Sequence, residues 1–357
     1  MNIRVKQVNR FFLLATAPFF GLLLTLWISS HSLNWEAAKP PAVAASDQTI
    51  LERTQTISAG LSQAKQTAQF TVTTIRKTSV LYKQTTRTMN DIVGTAKAQV
   101  SRPETIYNNR IVSRLGVPYQ TVQSSRIRIE LYSLNPGTYK GHALKIKLKD
   151  PSAMKMVLGK DKLGGAETTL QAVKRYGAVA GINAGGFADA GGKRYPLSTT
   201  VLNGKYVTGF EPSYKDLAFV GLNSSGKLIG GKFYSQQQLD MLDPVFGASF
   251  VPVLLRSGNR MVLPEKWKST PYRAPRTVIG SYKDDQLLII VVDGYDENGA
   301  SGATLEELQN KLINLGIKDA YNLDGGGSSS LILNDRVVNS PSDKALRPVP
   351  THFLFFK

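Results

Sequence analysis

Leu287-Leu-Ile-Ile-Val-Val-Asp-Gly294, then Thr304-Leu-Glu-Glu307, then Ala320-Tyr-Asn-Leu-Asp-Gly-Gly-Gly-Ser328 together decide how this chain folds. The run Leu287 to Val292 is apolar at every position, the pattern of a strand with no solvent face. Thr304 and Glu307 form a capping box, which predicts a helix over 305–315 that stops at Gly316. Ala320 to Leu323 reads as a second strand. Strand, helix and strand in this order predict a parallel crossover, which brings the carboxyl ends of both strands to one sheet edge. Asp293 and Asp324 then share the edge where open α/β sheets bind ligands. The expected class is α/β (mixed α+β): a central mixed β-sheet with βαβ units and peripheral hairpins, preceded by a transmembrane helix and a helical stalk.

An earlier stretch has a similar form. Glu167 to Tyr176 reads as a helix stopping at Gly177, and Ala178 to Ile182 as a buried strand ending in Asn183-Ala-Gly-Gly-Phe187. In both places a glycine precedes an asparagine by six positions (Gly177 and Asn183, Gly316 and Asn322) and a glycine cluster follows, which sets Asn183 on the same rim. Successive glycines after a strand can turn backbone N–H groups toward an anion and form a nest for phosphate. They also permit a tight turn, and Asp before Gly is a common turn cap. The sequence leaves both readings open. Val201 to Val207 reads as a hairpin on Asn203-Gly204, and Thr277 to Tyr282 pairs with Leu287 to Asp293 through Lys283-Asp-Asp285. Gly221 to Lys227 mimics a P-loop, but Leu228 stands where Ser or Thr is required, so a hairpin turn is the better reading.

Composition narrows the chemistry. The chain has 357 residues, 42% of them hydrophobic, with 44 Lys and Arg against 26 Asp and Glu and no cysteine. So apolar a chain is no disordered polyelectrolyte, and without cysteine it carries no disulfide scaffold, thiolate metal site or cysteine nucleophile. His31, His142 and His352 are isolated, with neither an H-E-x-x-H nor a G-x-S-x-G pattern, so a zinc protease or nucleophile-elbow hydrolase has no support. His142 and His352 read as ordinary strand residues. The net charge of +18 points to a polyanionic environment.

The N-terminal third has its own pattern. Phe11 to Ile28 is an almost unbroken apolar run with Trp27 near its end, and Arg4, Lys6 and Arg10 precede it. This predicts a signal anchor with a cytoplasmic N-terminus, and a single-pass cell-membrane protein whose C-terminal domain is extracellular on a bacterial surface. The competing reading is a cleaved signal peptide, whose small-residue site should follow the apolar run closely, whereas the nearest A-x-A, Ala42-Val-Ala44, lies well beyond that position. Pro40 and Pro41 mark a linker. From Asp47 to about Val100 larger apolar residues recur by threes and fours (Ile57, Leu61, Ala64, Ala68, Ile75, Tyr82, Met89, Ile92), which predicts a helical stalk. Fully helical, it would reach roughly 75 Å as a solvated spacer; the alternative is a weak coiled coil for self-association. Expected boundaries are 1–30 for the N-terminus and anchor, 31–101 for linker and stalk, and 102–357 for the globular domain. That domain holds 33 of the basic and 22 of the acidic side chains. For an exported domain nucleic acid drops out as a partner, and a phosphate-bearing surface glycan fits the charge.

Six of these pieces, in order over 181–349, resemble the phosphodiester glycosidase family, which includes bacterial proteins associated with exopolysaccharide. They are Ile182-Asn-Ala-Gly-Gly-Phe187, Arg273-Ala-Pro-Arg-Thr-Val-Ile-Gly280, Val292-Asp-Gly294, the helix start Gly302 to Leu308, Asn322-Leu-Asp-Gly-Gly-Gly-Ser328, and Asn339-Ser-Pro-Ser-Asp343 with Arg347-Pro-Val349. Ala184 stands where the family usually has glycine. The resemblance implies hydrolysis of the anomeric C–O bond of a sugar-1-phosphodiester in a cell-surface glycan or exopolysaccharide, with oxocarbenium character on the sugar and a phosphate monoester leaving. It implies catalytic roles for Asp293, Asp324, Asn183 and Arg276. One aspartate would activate water or stabilise the sugar cation. Arg276 and the glycine nest would take the phosphate, while Asn183 and the other aspartate hold sugar hydroxyls. Gly185, Gly186, Phe187, Gly325, Gly326, Gly327, Ser328, Asn339, Asp343 and Arg347 would line the substrate site, with no metal and no cofactor. The rival readings are a non-catalytic wall-glycan binding module and a metal-dependent P–O phosphodiesterase.

Overall fold

The structure, a computed structural model, describes residues 13, 16–17, 19–29, 47–269, 271–294, 301–342 and 344–357. It divides into two compact units, Met1–Ile92 and Val93–Lys357.

In the first unit, residues 13, 16–17 and 19–29 are helical. Among the described residues no helix is long and apolar enough to cross a membrane. That corrects the expected transmembrane anchor and, with it, the single-pass localisation. Arg4, Lys6, Arg10, the first two residues of the apolar run and the linker prolines lie outside the described residues. The stalk reading meets a single helix, Asp47–Leu115, longer than expected and carrying Pro103 inside it. Its many threonines return their hydroxyls to the carbonyl four residues back, as Thr54 does to Ile50 and Thr71 to Thr67, each at 2.8 Å. Ile57, Leu61, Ile75, Tyr82, Met89 and Ile92 are 62–74% exposed.

The second unit is built on an eight-stranded sheet in the order Gln120–Gln123, Ile127–Leu134, Gly141–Leu148, Leu287–Val292, Thr277–Ser281, Asp319–Leu323, Val253–Arg256, Asn259–Arg260. Leu287 to Val292 are all fully buried because they serve two cores. Leu287, Ile289 and Val291 pack with Ile129, Leu144, Ile182, Phe246 and Phe353 on one face. Leu288, Ile290 and Val292 meet Leu308 and Leu312 of the helix Leu305–Leu315, together with Ile111 and Leu115, on the other. Each such side chain contributes about 1.5–3 kcal/mol on burial. The expected domain start at 102 therefore falls inside a helix whose last turns already belong to this core.

Two five-stranded sheets complete the unit. One runs Leu228–Gly231, Ala218–Asn223, Pro244–Phe250, Val201–Leu202, Lys205–Tyr206; the other runs Arg336–Val337, Leu331–Leu333, Ala180–Asn183, Thr351–Phe355, Met154–Leu158. The hairpin on Asn203-Gly204 forms as read, with φ of 51° and 72° at its two turn residues. The P-loop mimic is the turn between two antiparallel strands. Helix Leu305–Leu315 has the Thr304–Glu307 capping box and Gly316 at φ 81°. Helix Thr169–Tyr176 has a Thr168–Gln171 box and Gly177 at φ 62°.

The expected mixed sheet is corrected too, since every strand pairing among the described residues is antiparallel. The hairpin strand Thr277–Ser281 bonds the near edge of Leu287–Val292, so the strand returning after the helix pairs with Thr277–Ser281 instead. The two ends of the crossover still run in the same direction, one strand apart.

Candidate functional site

Thr277 is opposite both Val291 and Leu323, so Asp293 and Asp324 leave the same sheet edge with their strands about 10 Å apart. The backbone of Asp324 is fixed from the facing sheet. Its N–H donates to Ala184 O at 3.1 Å, and its carbonyl accepts from Asn183 Nδ2 at 2.6 Å. Asn183 is fully buried, and its Oδ1 accepts from Thr277 Oγ1 (2.9 Å) and Ser330 N (3.1 Å). It therefore knots two sheets and the loop after Leu323 into one rigid rim. Its counterpart in the repeated pattern, Asn322, donates to Val251 O at 2.6 Å.

The Asp324 carboxyl is held unlike an ordinary turn cap. Oδ1 accepts from Gly325 N at 3.1 Å, whereas Oδ2 is buried with no hydrogen-bond partner among the described residues. Ser328 Oγ and Ser329 Oγ are buried and unpartnered in the same loop. Burial pushes the Asp324 pKa up to about 6, against the Ser328 hydroxyl, the Gly325 N–H and the charges of Arg347 and Arg194, which pull it down. Ser328 stands near enough to act on the carboxyl yet outside hydrogen-bonding geometry. Orphaned buried polar atoms are rare, so a cluster of them at a strand end calls for an explanation.

The glycines act by shape more than by their N–H groups. A Cβ on Gly185 would stand 2.6 Å from Ala248 Cβ, and one on Gly186 would stand 2.4 Å from the Phe250 ring. Their N–H groups are engaged inward, Gly185 with Thr351 Oγ1 and Gly186 with Ser249 O, both at 3.1 Å. In the triplet, Gly326 N donates to Pro275 O at 2.8 Å and Ser328 N to Gly325 O at 3.2 Å, while Gly326 takes φ 57° and Gly327 is buried. The turn reading thus accounts for most of these groups.

Arg276 is 4% exposed, with Nη2 on Pro271 O at 2.9 Å and Nε on Ala303 O at 3.4 Å, which ties it to the loops behind the rim. Asn339 is likewise buried, accepting from Leu331 N (2.8 Å) and donating to Ser329 O (3.0 Å), so it holds the serine loop in place. The cations acting on Asp324 are Arg347, which is half-buried, and Arg194, which no motif singled out. Arg194 lies on the hairpin Phe187–Ala190 with Lys193–Pro196, 4.7 Å over the half-buried Phe187 ring, bonded to Asp189 and to Pro348 O. Asp343 lies outside the described residues.

Asp293 is clamped at the other end of the edge. Its N–H donates to Lys140 O at 2.9 Å, Gly294 N donates to Ser340 O at 2.6 Å, and Ser340 N donates to Asp293 Oδ1 at 2.9 Å. His142 Nε2 lies 3.8 Å from the same oxygen. Sequence reading missed this neighbour; the strand pairing that sets His142 opposite Val291 is the only signal that would have found it. A mostly apolar cavity of about 240 Å³, lined by Gly230, Phe233, Pro252, Val253, Arg256 and Met261 among others, contains none of the expected site residues. Among the described residues no cluster of three or more His, Cys, Asp or Glu could hold a metal ion.

Comparison with known proteins adds a family pattern. The phosphodiester glycosidase family model matches residues 176–356. N-acetylglucosamine-1-phosphodiester α-N-acetylglucosaminidase of Mus musculus is 28% identical over 137 residues, 34% of this chain and 26% of the mouse protein, so the match spans about a quarter of that relative. The SPβ prophage-derived uncharacterized protein YomE of Bacillus subtilis is 35% identical over 83 residues, 23% of this chain and 13% of that protein. The catalytic domain of the zebrafish N-acetylglucosamine-1-phosphodiester α-N-acetylglucosaminidase, in a structure auto-inhibited by its pro-peptide, superposes with a TM-score of 0.52 at 20% identity, covering 68% of this chain and 89% of that one. That likeness is one of fold.

Proposed function

The chain belongs to the phosphodiester glycosidase family, and we propose that it hydrolyses the anomeric C–O bond of a sugar-1-phosphodiester, using Asp324 as its acid–base group. The observation that carries this reading is the Asp324 carboxyl itself. Its Oδ2 has no partner among the described residues, its pKa is pushed up to about 6, and the unpartnered Ser328 hydroxyl and the charges of Arg347 and Arg194 act on it. A carboxyl with a pKa near neutrality can both give and take a proton in one cycle.

The chemistry asks little of a general acid. As the anomeric C–O bond breaks, the electron pair stays on the phosphate oxygen, and a phosphate monoester is already a stable anion. Arg194 and Arg347 supply the charge that favours its departure. This assignment moves the phosphate from Arg276, whose guanidinium is engaged with main-chain carbonyls, to the two arginines whose charges act on Asp324. Asp324 then accepts a proton from the water that attacks the anomeric carbon, or protonates the phosphoryl oxygen. Asp293, at the far end of the edge, stabilises positive charge on the sugar or binds its hydroxyls. Asn183 positions Asp324 through its carbonyl. The basic surplus of residues 102–357 favours a polyanionic substrate such as a glycosyl-phosphate polymer.

The test is to incubate the full chain with a panel of sugar-1-phosphodiesters in ¹⁸O-water, with and without chelator. Free reducing sugar carrying the label at the anomeric position, plus an unlabelled phosphomonoester, is the expected result. Sugar-1-phosphate, or label in the phosphate, means P–O cleavage and refutes the proposal. Saturable binding without turnover on every substrate would make the chain a glycan-binding module.

A further inference from the structure

His142 stands one residue into the strand Gly141–Leu148, between Val291 and Ser133, at the sheet edge that carries Asp293. Its two ring nitrogens face different partners. Nδ1 shares a hydrogen bond with the Tyr119 hydroxyl at 2.9 Å, and Nε2 lies 3.8 Å from Asp293 Oδ1. The Tyr119 ring meets the imidazole edge-on, with centroids 6.2 Å apart. The His142 and Asp293 side chains are only 19% and 20% exposed, so solvent screens the contact weakly. Tyr119 and Asp293 are the titratable groups that face the ring among the described residues.

These contacts fix protons as well as positions. When Tyr119 donates its O–H to Nδ1, the neutral imidazole carries its hydrogen on Nε2, the nitrogen 3.8 Å from the carboxylate and so beyond direct hydrogen-bond reach of it. The backbone at Asp293 is fixed by its N–H on Lys140 O and by Gly294 N on Ser340 O, and the side chain is held through Ser340 N on Oδ1. Ser340 N donates to Oδ1 at 2.9 Å and His142 Nε2 lies 3.8 Å from the same atom, so both neighbours act on one oxygen of the carboxylate.

We propose that Tyr119 and His142 form a positioning relay for Asp293, in which Tyr119 sets the His142 tautomer and His142 sets which carboxylate oxygen faces the substrate. The relay rests on the reading of Asp293 as a substrate-site residue, yet its proton linkage stands apart from turnover. Desolvation lowers the His142 pKa while the Asp293 charge raises it, with the first effect the larger, so His142 is a neutral N–H donor at neutral pH and becomes a cation on acidification.

Two measurements on the full chain test the relay. In the first, the His142 imidazole is titrated by NMR in the wild type and in Asp293→Asn, its signal assigned by loss in His142→Gln. Removal of the Asp293 charge shifts the His142 titration downward; an unmoved titration overturns the proposal whether or not any substrate has been found. In the second, kinetics on a sugar-1-phosphodiester give a fall in kcat on the order of 10–100-fold for His142→Leu with little change in KM. Tyr119→Phe gives a smaller fall with a displaced pH profile, and His142→Gln, which keeps an N–H donor, recovers part of the rate. Wild-type rates and pH profiles in both Tyr119→Phe and His142→Leu refute the relay. Failure of all substrates, with the titration shift present, refutes the proposed reaction and leaves the relay standing.

Discussion

Replacing Asp324 by Asn separates activity from stability, because the same feature that makes the carboxyl useful makes it destabilising. Its pKa stands at about 6 in the fold against the ordinary 3.8, mainly through burial. The folded state therefore binds the proton more tightly than the unfolded chain does. Below pH 3.8 both forms are protonated and there is no penalty; as pH rises from there to 6 the unfolded state ionises first and stability falls; above 6 the full penalty is in place. Each pKa unit corresponds to about 1.36 kcal/mol, so the ionised carboxylate costs on the order of 2–3 kcal/mol at pH 7. The amide introduced by Asp324→Asn keeps the shape and carries no charge. Thermal unfolding followed by tryptophan fluorescence at several pH values is the assay. The variant should melt above the wild type by several degrees at pH 7–8, with the gap closing toward pH 4, while hydrolysis falls by orders of magnitude. A variant no more stable than wild type at pH 8, or a gap independent of pH, refutes the argument that Asp324 is a desolvated acid. The pattern expected is that of a site group whose cost in stability is retained for function.

Three further outcomes follow from named contacts. Arg194→Ala and Arg347→Ala should each raise KM for a sugar-1-phosphodiester about 10–100-fold while the melting temperature stays near that of the wild type, whereas Arg276→Ala, which strips donors from Pro271 and Ala303 carbonyls, should lower the melting temperature. Lys145→Met leaves Glu130, 5% exposed and 2.7 Å from the lysine ammonium, supported only by Arg128 and Tyr132, so urea unfolding should show a loss of about 2–4 kcal/mol, refuted by a change below about 1. His352 is wholly buried, with desolvation lowering its pKa to about 4. Its unfolded form takes up a proton near 6.5 and its folded form does not, so it contributes stability that is complete above pH 6.5 and is lost by about 3 kcal/mol as pH falls toward 4. His352→Asn should flatten that part of the stability curve, as read by denaturant titrations at pH 7 and pH 4.5.

The readable and unreadable parts of this chain differ in the kind of physics they require. Leu287 to Val292, the capping box at Thr304, the helix stops at Gly177 and Gly316 and the Asn203-Gly204 turn are local statements, and the structure contains each of them. Asp293 and Asp324 on one edge follow from strand direction alone, so they survive even though the intervening strand Thr277–Ser281 makes the sheet antiparallel. What spacing could not supply was the destination of individual hydrogen bonds. A glycine triplet looks alike whether its N–H groups face a phosphate or, as with Gly326, a neighbouring carbonyl. Arg276 sits in a matching motif yet is engaged with the backbone, while Arg194, in no motif, reaches the rim because the Phe187 hairpin folds back over Pro348. The apolar run Phe11 to Ile28 shows the converse: hydropathy predicted a membrane span, and among the described residues no helix is long and apolar enough to cross a membrane.

The site itself is a division of labour between rigid and unsatisfied groups. Asn183, Asn339 and Arg276 have polar atoms bonded to the surrounding protein and so hold geometry. Asp324 Oδ2 and the hydroxyls of Ser328 and Ser329 have no such bonds among the described residues, and these are the groups the proposed function assigns to the substrate. A sequence pattern rewards both kinds of residue equally, since a fixed rim and a reactive group are each needed at a set place. Only the pattern of hydrogen bonds distinguishes them, and it moves the weight of the proposed chemistry onto Asp324 and away from the glycines and the buried arginine that first drew attention to the edge.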